Sequence, residues 1–298
     1  MLPTKMEKLR QLKDLTPFVI MTATFSTAML ARLADMLGAV VVPEDDGRRT
    51  EMMHIGAQVG KQRTFHALDE PLTAEAVMAR RGRRTLCICN TIRAAQTLYE
   101  SLREALHQSG YEATVCRLLH SHYFKEDRDA IEDWVRDDTH FGHAQRDYSG
   151  PPLILVATQV VEVGLDMTCD VLHTELAPAA SLLQRAGRCA RRAHESGEVY
   201  VYLPRDANGE PDFTPYFIKE PKQLARKTER GRRLCVAAWE ALTASDDQFT
   251  GRHMSFVLEQ AFINAVHRPI DEEILTEVAA GRGARLNDMF RAMSTGDR

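Results

Sequence analysis

The sequence has no Cys-x-x-Cys pair and no second Cys or His pair at zinc spacing, which argues against a structural zinc module. Its six cysteines, Cys87, Cys89, Cys116, Cys169, Cys189 and Cys235, lie mostly in apolar runs. A chain of 298 residues does not need disulfides, so reduced, buried thiols and a cytoplasmic setting are expected. The opening MLPTKMEKLRQLKD is polar and lacks a signal-peptide core, and apolar runs such as Leu153–Ala157 are far too short to cross a membrane. There is no cationic excess. Lys+Arg 38 against Asp+Glu 42 gives a formal charge of −4, which excludes a globally basic nucleic-acid binder but not a local basic groove. The basic runs, Arg80-Arg81-Gly82-Arg83-Arg84 and Arg226, Lys227, Arg230, Arg232 and Arg233, lack the interleaved aromatics that stack bases. No internal repeat or low-complexity segment occurs, and the share of apolar residues, 44%, excludes collagen-like and disordered classes.

What is present is an alternation of short apolar runs and amphipathic segments. Phe18–Met21 reads as a buried strand, Ser26–Leu37 as a helix capped at Ser26 or Thr27 and ended by Gly38, and Ala39–Val42 as a second strand. Residues 43–66 have weak periodicity and read as a linker or irregular insertion. From about residue 80 the order becomes regular. Strands are expected at Thr85–Cys89, Thr114–Leu119, Leu153–Ala157, Val171–Thr174 and Val199–Leu203. Helices are expected at Thr91–Gln108, with Ala95, Leu98, Leu102 and Leu106 on one face, at Glu126–Arg136 and at Ser181–Arg191. Such alternation implies parallel βαβ units and right-handed crossovers. After Pro204 the pattern changes, through an irregular stretch at 205–222, to helices at Leu224–Leu242, His253–His267 and Asp271–Ala279.

Three segments carry chemistry. The first is Thr22-Ala23-Thr24, small hydroxyl residues at a strand end. The second is Val156–Asp166, where a buried strand runs into Thr158 and then into a loop containing Gly164 and Asp166. At the carboxyl end of a parallel strand such a loop can hold a phosphate, with Gly164 permitting close approach and Asp166 accepting from a ribose hydroxyl. The third is Gln184–Arg192, in which Arg188 and Arg191 are three apart and would share a helix face suited to a polyphosphate. Taken singly, each has a plainer reading, as turn formers, as an ordinary strand–loop–helix connection, or as a solvated basic helix end.

Together the three resemble motifs III, V and VI of superfamily-2 helicases, and the texture is closer still to the helicase of type I CRISPR–Cas systems. The similar stretches are PFVIMTATFS (17–26), LCICNTIRAAQTLYESL (86–102), LLHSHYFKEDR (118–128), LILVATQVVEVGLDM (153–167) and LLQRAGRCARR (182–192). The resemblance implies an α/β fold, a RecA-like parallel sheet with flanking helices and a helical C-terminal extension. It implies four regions: the end of a first RecA-like domain at 1–42, a linker at 43–79, a second RecA-like domain at 80–205, and the extension at 206–298. It also implies roles. Arg188 and Arg191 would act as arginine fingers, and Gln184 would sit near the γ-phosphate or the attacking water. Gly164 and Asp166 would approach the nucleotide. Asn90, Thr91, His120, Ser121 and Thr158 would meet the backbone of single-stranded DNA, and Thr22, Ala23 and Thr24 would couple hydrolysis to strand movement. ATP and Mg²⁺ would be cofactors only when a first RecA-like domain completes the engine.

Two parts of such an engine are missing from the sequence, the phosphate-cradling loop and the acidic box that holds magnesium. Gly56–Gln62 comes nearest to the loop, but it is one residue short and Gln62 replaces the hydroxyl. The expectation is therefore the C-terminal part of a longer or split helicase, inactive alone as an ATPase. It would be partnered by single-stranded DNA, by a RecA-like domain (with or without an HD nuclease domain) in cis or trans, and by a CRISPR surveillance complex, with no membrane role. The competing reading is a non-catalytic nucleic-acid-binding or docking module derived from a helicase. A metal-dependent hydrolase using His120, His122, His140 and His143 is disfavoured, and no metal ligand is assigned.

Overall fold

Six strands align in parallel, and two of them, Arg84–Ile88 and Leu153–Ala157, are buried at every position and cannot face water on either side. The structure, a computed structural model, describes residues 9, 15, 17–21, 25–42, 60–111, 113–142, 148–162, 164–217, 225–246 and 248–280. The strands are β1 (Gln62–Leu68), β2 (Arg84–Ile88), β3 (Val115–Leu119), β4 (Leu153–Ala157), β5 (Val171–Glu175) and β6 (Ser196–Tyr202). Their spatial order is β1-β6-β5-β2-β4-β3, all parallel. β5 and β2 occupy the middle, and β2 and β4 are buried at every position. This is a RecA-like sheet with flanking helices, followed by further helices toward the C-terminus. The expected strands at Leu153–Ala157 and around 85–89, 114–119, 171–174 and 199–203 are all present, each within three residues of its expected bounds.

The helices are α1 (Thr27–Leu37), α2 (Ala74–Ala79), α3 (Ile92–Gln108), α4 (Lys125–Arg136), α5 (Ala179–Ala186), α6 (Ala225–Thr243) and α7 (Phe256–Ala279). Thr91 caps α3, its hydroxyl accepting from the Ala94 N–H at 3.1 Å, and α3 buries Ala95, Leu98, Leu102 and Leu106, the stripe expected from the sequence. These residues pack with Val77 of α2, Cys87 and Cys89, Leu118, Ile154 and Val156 to form one core beneath the sheet. None of the six cysteines is in a disulfide, and five of them are buried.

Two compact units share the chain, residues 53–262 in one and residues 1–52 with 263–298 in the other. In the second unit Ser26 caps α1, accepting from Met29 N–H at 3.1 Å and donating to Asp271, while Thr27 N–H donates to Asn264 Oδ1 at 2.9 Å. Gly38 ends α1 in the left-handed region, with φ +62°.

The structure departs from the sequence-based expectations in four places. Phe18–Met21 and Ala39–Val42 form no strand: among the described residues neither has a neighbour to pair with, and Val19, Met21, Val40 and Val42 are exposed. β1 and α2 lie inside the stretch expected to be linker. QRTFHAL is only weakly apolar, and tertiary partners make it a strand. Arg63 is buried against Glu259 at 3.0 Å, its N–H donates to His253 Nδ1 at 3.0 Å, and its carbonyl accepts from Met254 N–H at 2.7 Å. The helix expected over Ser181–Arg191 runs from Ala179 and stops at Ala186. Finally, the two helices expected at His253–His267 and Asp271–Ala279 are one, α7, with Pro269 inside it.

Candidate functional site

The carboxyl ends of β2, β4 and β3 stand side by side, since Ile88, Ala157 and Leu119 share one register. The next residues therefore emerge together. Cys89 N–H donates to Ala157 O at 2.9 Å, and Thr158 N–H to Leu119 O at 3.2 Å. This brings Asn90, His120 and Thr158, three of the expected nucleic-acid contacts, to one edge, but all three are buried. The Asn90 amide is engaged within the protein: Nδ2 donates to Leu176 O at 2.8 Å and Oδ1 accepts from Arg185 at 3.0 Å. His120 stacks on Tyr123 with centroids 4.4 Å apart, accepts from His122 N–H at 3.3 Å, and is held below its ordinary pKa by burial. Ser121 is exposed and Thr91 half-buried at this edge. Thr22, Ala23 and Thr24 lie outside the described residues, as does His143.

From this edge the loop after β4 runs toward the amino end of β5, where it meets the turn after α5. Gly164 is exposed with φ +87°, a conformation that glycine adopts without strain. Gln184 is exposed on α5. Because α5 ends at Ala186, Arg188 and Arg191 do not share a helix face as expected. The chain leaves through a turn, with Arg188 N–H on Arg185 O at 2.8 Å and Ala190 at φ 45°, and is pinned by backbone hydrogen bonding between Cys169 and the residues on either side of Cys189. The two arginines diverge. Arg188 turns inward, is 8% exposed, and donates to Leu165 O and Glu162 O, both at 2.6 Å. Its Nε is buried without a partner. Burial, and then neighbouring Arg191, hold its guanidinium below the ordinary range. Arg191 turns outward and donates through Nε to Asp166 Oδ1 at 2.7 Å, with Arg192 behind at 3.9 Å. That hydrogen bond is the main reason the Asp166 carboxyl lies below the usual carboxylate range.

Arg185, which the sequence reading left unassigned, is the hub. It is fully buried and holds five partners from four segments. They are Glu162 Oε1 at 2.9 Å, Thr174 Oγ1 at 2.8 Å, Glu175 O at 3.0 Å, Asn90 Oδ1 at 3.0 Å and the Tyr216 hydroxyl at 3.0 Å. The network ties the strand-end edge to the loop that Arg188 grips. Its signal in the sequence was position alone, one residue after Gln184, and in a linear reading nothing separates this arginine from its basic neighbours. Two further expectations can be placed. His120 and His122 stand with ring centroids 6.2 Å apart, and among the described residues no group of three or more His, Cys, Asp or Glu is arranged to hold a metal ion.

The arrangement offers guanidinium groups, whose planar forks suit phosphate oxygens. Arg185 reaches the carboxyl ends of β2 and β5, whereas the turn that carries Arg188 and Arg191 lies beside the amino end of β5, where Cys189 pairs with Cys169. Arg191 can exchange its exposed carboxylate partner for a phosphate, and the unpartnered Nε of Arg188 leaves that group incompletely satisfied.

Residues 81–194 match the family model described as CRISPR-associated nuclease/helicase Cas3, C-terminal. The chain is 32% identical over 131 residues to the putative CRISPR-associated nuclease/helicase Cas3 of Methanocaldococcus jannaschii, covering 42% of this chain and 16% of that protein. It is 30% identical over 212 residues to the CRISPR-associated endonuclease/helicase Cas3 of Thermus thermophilus, covering 67% of this chain and 21% of that one. In fold it is similar to the crystal structure of T. fusca Cas3, with TM-score 0.68 and 21% identity, over 96% of this chain and 37% of that one. The chain thus spans about a fifth of the length of these curated relatives. Residues 81–194 are thus similar to the C-terminal part of the CRISPR-associated nuclease/helicase Cas3.

Proposed function

We propose that this chain is the C-terminal helicase portion of a CRISPR-associated, ATP-dependent DNA helicase. In this reading its second RecA-like domain supplies arginine fingers and half of a single-stranded DNA track. The observation that carries the reading is the pairing of the loop after β4 with the turn after α5, in which Arg188 and Arg191 have different degrees of freedom. ATP bound opposite this face would present its γ-phosphate to Arg191 once Asp166 yields, and Arg188 would hold the loop that receives it. When bound, ATP supplies the phosphoryl group whose transfer drives strand movement. Gln184, exposed on α5, would reach toward the γ-phosphate, and Gly164 allows the backbone to come close. The exposed Ser121 and the Thr91 cap would meet the DNA backbone, while buried Asn90, His120 and Thr158 would fix the shape of that edge. Thr22, Ala23 and Thr24 would serve coupling.

The phosphate loop and acidic box absent from the sequence would come from a first RecA-like domain, which would hold the β- and γ-phosphates and Mg²⁺. The uncovered apolar segments Phe18–Met21 and Ala39–Val42, which with α1 line a cavity of about 570 Å³, fit the end of such a domain awaiting its sheet. A CRISPR surveillance complex is the proposed higher assembly, since one protein of similar fold belongs to a structure titled a CRISPR RNA-guided surveillance complex, pre-nicking.

The test is ATP hydrolysis by the purified chain, with and without single-stranded DNA, and again with a separately produced first RecA-like domain. The expected result is no turnover alone and DNA-dependent turnover on mixing, abolished by Arg191→Ala. Turnover by the chain alone, sensitive to Arg188→Ala, would mean that it builds a whole site. DNA binding with no turnover in any combination would favour the non-catalytic module.

A further inference from the structure

The amino ends of β1 and β6 lie side by side, paired from Gln62 and Ser196 onward, and β6 adjoins β5 and the turn that carries Arg191. Lys61 is the residue that enters β1 there. Its backbone is fixed from both sides. Gln62 N–H donates to Glu195 O at 2.9 Å, and Gly60 stands so close to His194 that a Cβ on it would lie 2.4 Å from the ring Nδ1. Gly60 takes φ +68°, which glycine adopts without strain. The stretch from Arg191 to Glu195 is itself tied down: Arg191 N–H donates to Thr168 Oγ1 at 3.1 Å, and that hydroxyl donates to Glu195 Oε2 at 2.6 Å. Lys61 is half-buried in this setting. Burial, and then the charges of Arg63 and Arg191, hold its ammonium below the ordinary range. The two carboxylates near it are committed to other donors. Glu259 pairs with Arg63 at 3.0 Å, and Glu195 Oε2 accepts from Thr168 and from Arg192 N–H, the latter at 2.9 Å. Arg63 and Arg192, which serve those carboxylates, each keep Nε buried without a hydrogen-bond partner among the described residues. Positive charge and unmet donors therefore concentrate at this corner of a chain whose formal charge is −4.

We propose that Lys61 is a further phosphate ligand of the nucleotide site, set beside Arg191 so that its ammonium and the Arg191 guanidinium hold one terminal phosphate between them. The inference deepens the ATPase reading and rests on it. Arg191 is partly neutralised by Asp166. Lys61 brings a charge whose neighbouring carboxylates are already taken, so a phosphate arriving at the turn meets a cation that draws it in and a second that can exchange its partner. The two side chains suit these tasks. Lysine is a compact point charge on a flexible stem and can follow a moving phosphate, whereas arginine offers a planar fork in a fixed geometry. Lys61 does not act as the lysine of a phosphate-cradling loop, although it stands in the sequence that comes nearest to one. Such a loop opens a helix, and Lys61 opens a strand, β1. Its phosphate chemistry comes from the Arg191 turn against which β1 begins. The competing role is structural, an ammonium that only offsets the charges of Glu195 and Glu259.

The experiment has two readouts on the full chain at low salt. The first is amine labelling by an N-hydroxysuccinimide ester, followed residue by residue in a mass spectrometer, with ATP, inorganic tripolyphosphate or adenosine present. ATP and tripolyphosphate should each slow labelling of Lys61 several-fold, and adenosine should not. Lys125, exposed at the start of α4, should label at one rate throughout. The second is calorimetric titration of ATP. Lys61→Gln should weaken binding about tenfold, the scale of one charge-assisted contact, and Lys61→Arg should stay within about threefold of the parent. Arg191→Ala should weaken binding as well, and Lys125→Gln should match the parent. Thermal unfolding should show each variant folded. Equal affinity of the parent and Lys61→Gln, with Arg191→Ala weakened, would overturn the assignment of Lys61 and leave the ATPase reading standing. A lowered unfolding midpoint in Lys61→Gln with unchanged ATP affinity would assign the lysine to structure. Protection of Lys61 by adenosine as strong as that by ATP would remove phosphate as its ligand. Absence of any effect of ATP or tripolyphosphate on the parent chain would overturn both readings.

Discussion

Arg185 and Arg191 lie six residues apart and show two uses of the same side chain. Around Arg185 every donor is met inside the protein, by a carboxylate, two hydroxyls, a carbonyl and an amide, and no water reaches it. Around Arg191 the partner is a carboxylate that is itself exposed. A guanidinium enclosed by fixed dipoles builds structure, because its removal strands the partners. A guanidinium resting on a solvated carboxylate is held in reserve, because a phosphate can replace that carboxylate at small cost. Arg188 stands between them, enclosed yet with one nitrogen unmet. The helix end makes the division: α5 stops at Ala186, and the turn beyond it sends successive arginines in opposite directions.

The largest test of this contrast is to empty the hub. Arg185→Met leaves Glu162 and Asn90 facing a gap inside the protein, and should lower stability in urea unfolding by about 3–5 kcal/mol, as expected for breaking a buried ionic network. Arg191→Ala should shift the same transition by no more than about 0.5 kcal/mol. Similar losses for the two would erase the distinction. In the reconstituted engine the order should reverse. There Arg191→Ala should reduce DNA-dependent ATP turnover about a thousandfold or more, the scale of an arginine finger. A turnover within tenfold of the parent would remove Arg191 from that role.

A second pair of regions, the sheet interior and its rim, is separated by acid. His173 on β5 is buried, stacked between Tyr200 and Tyr202, with Nδ1 2.8 Å from the Tyr202 hydroxyl. Burial pushes its pKa down to about 3, against 6.5 for the free side chain. Above pH 6.5 neither folded nor unfolded chain binds this proton, so the group contributes nothing to stability. As pH falls below 6.5 the unfolded chain takes up the proton and the folded one does not, so stability declines until about pH 3. The slope is at most about 1.4 kcal/mol per pH unit for one such group. Urea midpoints at pH 7 and pH 5 should therefore differ, and His173→Gln should flatten the difference. An unchanged slope would mean that the ring is hydrated.

Much of this architecture was legible in the sequence, for reasons that can be named. Strands such as Leu153–Ala157 are buried on both sides and appear as unbroken apolar runs, and α3 announces itself through a cap and a four-residue stripe. β1 was missed because its stability is supplied from 190 residues away, by His253 and Met254 pairing with Arg63. The segments at 18–21 and 39–42 carry a strand's composition but, among the described residues, have no strand beside them, and pairing rather than composition makes a strand. In the site, it was the resemblance that implied Gly164, Asp166, Arg188 and Arg191 would serve one nucleotide, and the loop and turn that carry them do meet. The sequence could not say which arginine would be enclosed, since that depends on where α5 stops, and helix ends are set by local turn geometry.

The smallest effect sharpens the first contrast. If Asp166 is only a resting place for Arg191, then Asp166→Asn should cost little. The pair is exposed, so its loss should amount to less than about 0.5 kcal/mol in urea unfolding at pH 7. The hydrogen bond from Arg191 holds the Asp166 pKa below its ordinary value, so whatever the pair contributes is present above about pH 4 and fades as pH falls through the lowered native value. Asp166→Asn should therefore change stability slightly at neutral pH and not at all in strong acid. Its functional effect depends on what Asp166 does once nucleotide is bound. A carboxylate that only parks Arg191 would, when neutralised, free the arginine and lower the KM for ATP in the reconstituted engine with little change in kcat. A carboxylate that accepts from a ribose hydroxyl would, when neutralised, raise KM instead. The sign of that single change separates a latch from a ligand.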